Sequence, residues 1–382
     1  IGFAAVALRR RRPWAALGLA VSTMVVVDGA LAWASPPRSP ELGFIPTPRQ
    51  LPTVESTTCT YGGPGTRIEA IPCTRDRGVP LVAVLGASSA HGSHFVAEDA
   101  FPARLQARLR EDVHPSARVV NLGVGGATSA TLAGFAGPGG IFDPAAGGPP
   151  DVVVVYYGHN EASQFVRMGD FAAVRPSQMA ARLLLARSGI FAVLEGILPK
   201  SAPVAAHPPD RTLDPRASRD RLISLAALHL KTNLGWVLDV AHQAGTVPVV
   251  VIPATNLRFA HVEPFADGGP GDTADLNALR RLGEEAAKAG QREAAARYFQ
   301  QAIDRSASPR ELVSPIRTAI STTATGGGAD LIDAQAAFLA RAPDGVTPSG
   351  LFWDDLHPSR AGHQVLADLI APVVADHLTG VP

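Results

Sequence analysis

Two serines stand on a glycine-flanked turn that follows an apolar run. The turn GASSAHG (residues 86–92) comes directly after LVAVL (residues 81–85), whose unbroken apolar character is typical of a buried strand. A hydroxyl on such a turn can act as a nucleophile when a neighbouring base takes its proton. Ser88 and Ser89 are both candidates, and an ordinary polar turn is the competing interpretation until a base is found.

A base with acidic neighbours lies near the end of the chain. The segment LFWDDLHPSRAGH (residues 351–363) contains His357, with Asp354 three residues and Asp355 two residues before it. A carboxylate beside a histidine fixes its tautomer and stabilises its protonated form. Asp354 is the preferred partner, because residues three apart in a helical turn face the same side, and Asp355 is the rival. The pattern predicts a serine–histidine–aspartate arrangement.

Donors for an oxyanion follow two further apolar runs. These are NLGVGGATS (residues 121–129) and GHNE (residues 158–161). A tetrahedral oxyanion requires hydrogen-bond donors that are fixed in place. The backbone N–H groups of Ser88 and Gly126 and the side-chain amide of Asn160 are the predicted donors.

The elements that must position these residues alternate between strands and helices. Continuous apolar strands separated by helical patterns favour a parallel sheet covered on both faces. We therefore expect an α/β fold: a flavodoxin-like, three-layer α/β/α domain with a five-stranded parallel sheet and a site at the carboxyl ends of the strands. The five runs are LVAVL (81–85), ARVVNL (117–122), DVVVVYY (151–157), VPVVVIP (247–253) and ADLID (329–333).

The four polar segments, in this order, resemble the blocks of the SGNH/GDSL hydrolases, a family named for a serine, a glycine, an asparagine and a histidine. The resemblance covers about residues 80–378, which we take as one domain. It departs from the family pattern at Ala87, where the family has Asp. The matching positions are Gly86, Ser88 and Gly92, then Gly126, then Gly158, Asn160 and Glu161, and last Asp354, His357 and Pro358.

The resemblance implies a serine ester hydrolase that works through an acyl-enzyme. By it, Ser88 is the nucleophile, His357 the base and Asp354 the acid that orients the base. Gly126 and Asn160 then complete an oxyanion hole with the Ser88 N–H. This chemistry needs no metal and no organic cofactor, and the implied substrate is the ester of a small molecule, a glycan or a lipid.

The amino-terminal segment, residues 1–34, indicates export. Four arginines at 9–12 precede residues 13–34, a stretch of 22 residues with one charge, Asp28. That length can span a bilayer as a helix, and arginines before it favour a cytoplasmic amino terminus. We expect a single-pass membrane protein with its domain outside the cytoplasm. AWA at 32–34 also fits a signal-peptide cleavage site, and secretion is the alternative.

Residues 35–79 are expected to form a linker, because they are rich in Pro, Thr and Arg and have no sustained period. Cys59 and Cys73 lie in this linker. In an oxidising compartment they are predicted to close a small disulfide loop.

Two insertions interrupt the predicted α/β plan. The first, about residues 163–218, contains an apolar helical pattern over residues 179–198. We expect this pattern to pack on the domain, and a position on the membrane surface is the alternative. The second, about residues 264–312, has the spacing of one tetratricopeptide-type helical hairpin and could bind a protein partner. Together with PATNLRF (residues 253–259), this hairpin resembles a bacterial membrane-anchored subgroup of SGNH hydrolases with tetratricopeptide-like segments.

Three more residues are candidates for substrate binding. His159 lies in GHNE, and Asn256 and Arg258 follow the fourth predicted strand. Arg258 could bind an anionic group such as a carboxylate or phosphate, or could hold a loop. His91 and His94 form an HxxH pair, but no third metal ligand is evident, so we predict rim histidines and no metal site.

The balance of charge bears on the class of partner. The chain has 34 Lys and Arg residues and 34 Asp and Glu residues, so it has no net charge that would favour nucleic acid.

Two functions other than ester hydrolysis stay open. An acyltransferase would use the same residues to pass the acyl group to a glycan hydroxyl. A non-catalytic, membrane-anchored scaffold would use the hairpin.

Overall fold

The structure is a computed structural model in which two compact units comprise residues 1–41 with 175–205 and residues 42–174 with 206–382. Apart from Thr23, the described residues belong to the second unit. They are residues 53–55, 58–61, 69–72, 78–136, 140–142, 148–168, 214–342, 346 and 349–379.

The predicted membrane anchor, residues 13–34, lies outside the described residues except for Thr23. Within the part of the chain that is described, no helix has both the length and the apolar character needed to span a bilayer. The amino-terminal transmembrane helix therefore stays a prediction. The apolar segment 179–198 also lies outside the described residues.

A small antiparallel sheet lies in the segment that was expected to be a linker. Its three strands are β1 (Thr53–Glu55), β2 (Thr58–Tyr61) and β3 (Glu69–Pro72), in the order β1-β2-β3. Cys59 is in β2, whereas Cys73 falls outside the described residues. The interpretation of residues 35–79 as a linker stays a prediction, and so does the disulfide.

A second sheet confirms the predicted α/β architecture. Its five strands are all parallel and lie in the order β5-β4-β6-β7-β8. The central strands are buried on both faces, which is why they are almost continuous runs of valine and leucine. The strands are β4 (Leu81–Gly86), β5 (Arg118–Gly123), β6 (Val152–Tyr156), β7 (Val247–Ile252) and β8 (Asp330–Asp333).

Helices cover both faces of this sheet, as predicted. In chain order the described α-helices are α1 (Ser88–His91), α2 (Phe101–Asp112), α3 (Ser129–Ala136), α4 (His159–Met168), α5 (Pro215–Gln243), α6 (Thr273–Lys288), α7 (Arg292–Arg305), α8 (Ser314–Gly326), α9 (Ala334–Ala340) and α10 (Arg360–Leu378). On one face of the sheet, α2, α9 and α10 share an apolar cluster with β4 and β6. On the other face, α3, α4, α5 and α8 belong to a second apolar cluster.

The helical hairpin predicted within residues 264–312 is present as α6 and α7. Gly283 of α6 lies against the ring of Phe299 in α7, where an added Cβ would come within 2.8 Å of ring atoms. Phe299 and Ile303 also belong to the main apolar cluster, so the hairpin packs on the α/β body. Its resemblance to a tetratricopeptide repeat stays a prediction.

Candidate active site

The serine turn joins β4 to α1 at the carboxyl edge of the main sheet. A Cβ on Gly86 would lie 2.3 Å from the Cβ of Ala90 and 2.7 Å from the carbonyl oxygen of Tyr156, so only glycine lets the chain fold back this tightly. Ser88, the first residue of α1, is partly exposed, whereas Ser89 is buried. The turn therefore presents one of the two candidate serines to solvent.

Ser88, His357 and Asp354 form a continuous line of hydrogen bonds. Ser88 Oγ lies 2.8 Å from His357 Nε2, and His357 Nδ1 lies 2.7 Å from Asp354 Oδ2. The other oxygen of Asp354 accepts hydrogen bonds from the backbone N–H groups of Leu356 and His357, at 2.9 and 2.7 Å. The structure thus brings together Ser88, His357 and Asp354, the three residues that the sequence predicts to act together.

The electrostatics of Asp354 fix the orientation of this line. Partial burial raises the pKa of Asp354, but hydrogen bonds from the side chain and backbone of His357 and from Leu356 outweigh burial and hold the pKa well below its usual range. An ionised Asp354 accepts a hydrogen bond from a protonated Nδ1 of His357. The lone pair of His357 Nε2 then faces the hydroxyl of Ser88.

Asp355, the rival acid, has other partners. Its carboxylate lies 3.7 Å from Arg310 Nη1, and its backbone oxygen accepts a hydrogen bond from the N–H of Asn256 at 2.9 Å. Asp354 rather than Asp355 is therefore the acid hydrogen-bonded to His357.

The loops that follow β5 and β6 are tied together at the same edge. The amide of Asn160 donates to the carbonyl of Ala127 at 2.9 Å, and the amide of Gln164 donates to the carbonyl of Gly126 at 2.6 Å. Gly126 has a φ of 73°, which favours glycine, and is exposed. Among the described residues, the second N–H of the Asn160 amide and the N–H of Ser88 have no hydrogen-bond acceptor and remain as donors, since Ser88 begins a helix.

The three further substrate-binding candidates have structural partners. His159 is buried, its Nε2 lies 3.2 Å from Thr255 Oγ1, and burial lowers its pKa to about 3. The amide of Asn256 donates to the carbonyl of Asp354 at 3.2 Å. Arg258 donates through Nε to Glu284 Oε1 of α6 at 2.8 Å, which favours the loop-holding interpretation over anion binding.

His94 lies beside the hydrogen-bond line, although the sequence paired it with His91. Its ring packs edge-on against His357, with centroids 4.9 Å apart, and stacks on Trp353. Ligand atoms of His94, Asp354 and His357 lie within 4.8 Å of one another, close enough to share a metal ion. The sequence missed this grouping because His94 is far along the chain from Asp354 and His357.

Comparison with known proteins identifies the family. The model of the GDSL-like lipase/acylhydrolase family matches residues 84–365. The chain belongs to this family. That range begins within β4, contains the other four strands of the main sheet and includes Ser88, Asp354 and His357. The SGNH/GDSL resemblance is therefore confirmed at the level of the family. No curated protein sequence matches the chain.

Solved structures similar to this GDSL-family chain include an acetyl xylan esterase, AlAXEase, at 16% identity and a TM-score of 0.40, covering 77% of this chain and 99% of that one. TesA is 15% identical with a TM-score of 0.38, covering 78% and 99%. A lipase/acylhydrolase from Enterococcus faecalis is 13% identical with a TM-score of 0.38, covering 78% and 96%. The family assignment rests on the family model.

The supporting roles of two buried polar residues in the GDSL-family site were not predicted. Glu161, which follows Asn160, is fully buried and accepts a hydrogen bond from the N–H of Ser129 at the start of α3. Asn121 donates to the carbonyl of Ala90 at 2.9 Å and so ties the end of β5 to α1. Both stand inside the quoted segments, and a polar residue within an apolar strand was the available signal for Asn121.

Proposed function

We propose that this chain is a serine esterase or acylhydrolase that acts through Ser88, His357 and Asp354. The observation that carries the proposal is the unbroken hydrogen-bond line from Ser88 Oγ through the imidazole to the Asp354 carboxylate, with distances of 2.8 and 2.7 Å. An imidazole held in this way can take the hydroxyl proton, which is the activation that a serine nucleophile needs.

In the proposed reaction, Ser88 Oγ attacks the ester carbonyl carbon while His357 Nε2 accepts the hydroxyl proton. The resulting oxyanion accepts hydrogen bonds from the Ser88 N–H, the Gly126 N–H and the Asn160 amide. The tetrahedral intermediate collapses, the bond to the alcohol breaks, and His357 returns the proton to the leaving alkoxide. Water then attacks the acyl-enzyme with the same proton transfers, releasing the carboxylic acid and restoring the serine.

The place of action is also part of the proposal. Residues 1–34 would anchor the chain in the cell membrane, with the α/β domain outside the cytoplasm, or would be removed as a signal peptide before secretion. The support is the sequence pattern alone: four arginines before a long apolar stretch with one acidic residue.

The test is hydrolysis of 4-nitrophenyl acetate and 4-nitrophenyl butyrate by the full chain. Ser88→Ala is expected to lower kcat by a factor on the order of 10³ or more, because the nucleophile is lost. Ser89→Ala is the matched control, since it removes a hydroxyl from the next residue and is expected to keep most of the activity. A fluorophosphonate should label the wild-type chain on Ser88.

Ester turnover that survives Ser88→Ala undiminished would overturn the proposal. An acyltransferase is distinguished in the same assay by adding an acetylatable oligosaccharide. In that case acylated sugar, rather than free carboxylic acid, would be the main product.

A further inference from the structure

A cavity of about 480 Å³ opens beside Asp354. Three segments form its wall: the loop that follows β7, the helical hairpin with its exit, and the turn that contains Asp354 and Asp355. Because Asp354 contributes both to this wall and to the hydrogen-bond line of the site, the cavity adjoins the proposed catalytic residues. Arg280 and Arg310 provide its guanidinium groups, and the ring of Phe259, 60% exposed, provides apolar surface.

The two arginines have hydrogen-bonding capacity to spare. Arg280 donates from Nη2 to the carbonyl of Ala260 at 2.5 Å, and its other guanidinium N–H groups have no hydrogen-bond partner among the described residues. Arg310 is 42% exposed, and its closest ion pair is with Asp355 at 3.7 Å, beyond hydrogen-bonding distance. By contrast, Arg258 outside the cavity wall is paired with Glu284.

The carboxylates in the wall are already engaged. Asp354 accepts hydrogen bonds from the side chain of His357 and from the N–H groups of Leu356 and His357. The side chain of Asp355 is only 11% exposed, and its carboxylate lies 3.7 Å from the guanidinium of Arg310. The unsatisfied polar capacity of the cavity is therefore made of donors, and guanidinium donors match the two oxygens of a carboxylate.

We propose that Arg280 and Arg310 bind a carboxylate carried by the ester substrate, with Phe259 covering the apolar part beside it. This inference rests on the proposed esterase function and adds a substrate class to it: an ester whose acyl or alcohol part bears a carboxylate. The hairpin insertion then contributes directly to specificity, because Arg280 belongs to α6.

The test uses two matched pairs of esters. One pair is 4-acetoxybenzoate and its methyl ester, with the charge on the alcohol part. The other is mono-4-nitrophenyl adipate and its methyl ester, with the charge on the acyl part. The wild-type chain is expected to show a kcat/KM for the anionic member at least about tenfold above the neutral member in one pair.

Arg280→Gln and Arg310→Gln are each expected to lower that ratio about tenfold, mainly through KM. Arg310 makes no side-chain hydrogen bond within the described residues, so its variant keeps the test usable if Arg280→Gln fails to fold. The matched control is Arg281→Gln, next to Arg280 on the same helix, where the guanidinium is exposed and pairs with Glu285 at 3.8 Å. The control should keep the wild-type ratio.

A binding measurement separates this inference from the esterase proposal. In the Ser88→Ala background, calorimetry with both pairs of esters should show tighter binding of the anionic member in one pair, and Arg310→Gln should abolish that difference. If no ester is hydrolysed but this preference is found, the esterase proposal fails and the carboxylate site stands. Equal binding of the anionic and neutral members in both pairs, or an equal loss of preference in Arg281→Gln, would overturn the site.

Discussion

Two neighbouring aspartates precede His357, and their surroundings divide their roles at the scale of single residues. Asp354 is hydrogen-bonded to the imidazole and to two backbone N–H groups, which keeps it ionised. Asp355 pairs with Arg310 and lies against the carboxyl group of Glu311. An ionised acid at Nδ1 stabilises the imidazolium that forms when the serine proton is taken, and only Asp354 is placed to do this.

Asp354→Asn should therefore lower kcat for 4-nitrophenyl acetate by a factor on the order of 10³–10⁴, because an amide can hold the imidazole in the wrong tautomer. Asp355→Asn is the matched control and should stay within about tenfold of the wild-type kcat. Steady-state kinetics of the two variants at pH 7.5 makes the comparison. A larger loss of kcat in Asp355→Asn than in Asp354→Asn would show that Asp355, and not Asp354, is the acid.

At the scale of elements, the position of Ser88 depends on how closely β5 approaches α1. Gly123 ends β5, and a Cβ there would lie 2.2 Å from the backbone nitrogen of His91 in α1. Asn121 holds the same two elements together through the carbonyl of Ala90. The glycine supplies the room and the asparagine supplies the bond, so the short helix that bears the serine is fixed by the strand beneath it.

Gly123→Ala should displace α1, because the new methyl group meets backbone that cannot rotate away. We expect a loss of about 1–3 kcal/mol in the free energy of unfolding and a fall in kcat of about 100-fold. Gly125→Ala is the control, since a Cβ at Gly125 meets nothing within 4 Å. Thermal unfolding and ester hydrolysis would be measured on both, and equal melting temperatures would contradict the packing argument.

At the scale of the whole molecule, the sequence predicts the features that depend on the chemistry of a residue and its neighbours along the chain. Strands β4 to β7 were predictable, because burial leaves an almost unbroken apolar run, whereas β8 lies at the edge of the sheet, is partly exposed and has the weaker run DLID. Strands β1 to β3 were not predictable, since three or four residues carry no clear period and their pairing partners decide them. Ser88, His357 and Asp354 were predictable from the chemistry that each requires of the others. The ion pair of Arg258 with Glu284, 26 residues further along the chain, follows from no spacing rule.

Four buried titratable groups couple the stability of the whole fold to pH. Burial raises the pKa of Glu161 and of Glu311 to about 7, from an ordinary value of 4.5. Burial lowers the pKa of His159 to about 3 and that of His229 to about 4, from an ordinary value of 6.5. The glutamates oppose folding as the pH rises and the histidines oppose it as the pH falls, so their effects on stability partly cancel between pH 4.5 and 6.5.

Replacing both glutamates should expose this balance. The folded chain keeps protons on Glu161 and Glu311 that the unfolded chain releases above about pH 4.5, so their stabilising effect is complete below pH 4.5 and is lost as the pH rises towards 7. Glu161→Gln/Glu311→Gln removes that loss. Relative to the wild-type chain, the variant should gain about 2 kcal/mol per group in the free energy of unfolding between pH 5 and pH 7.5.

Urea unfolding followed by circular dichroism at pH 5, 6, 7 and 7.5 would measure this gain. Glu293→Gln is the matched control, because that carboxylate is 95% exposed and its replacement should leave the pH dependence of the wild-type chain unchanged. The glutamine side chains keep the size of the originals, so a constant offset between the double variant and the wild type at every pH would reflect altered hydrogen bonding alone. If the curves of unfolding free energy against pH for the variant and the wild type stay parallel, the two carboxyl groups ionise at their ordinary pKa in the folded protein. The Glu311 carboxylate would then repel Asp355 and the turn that holds Asp354.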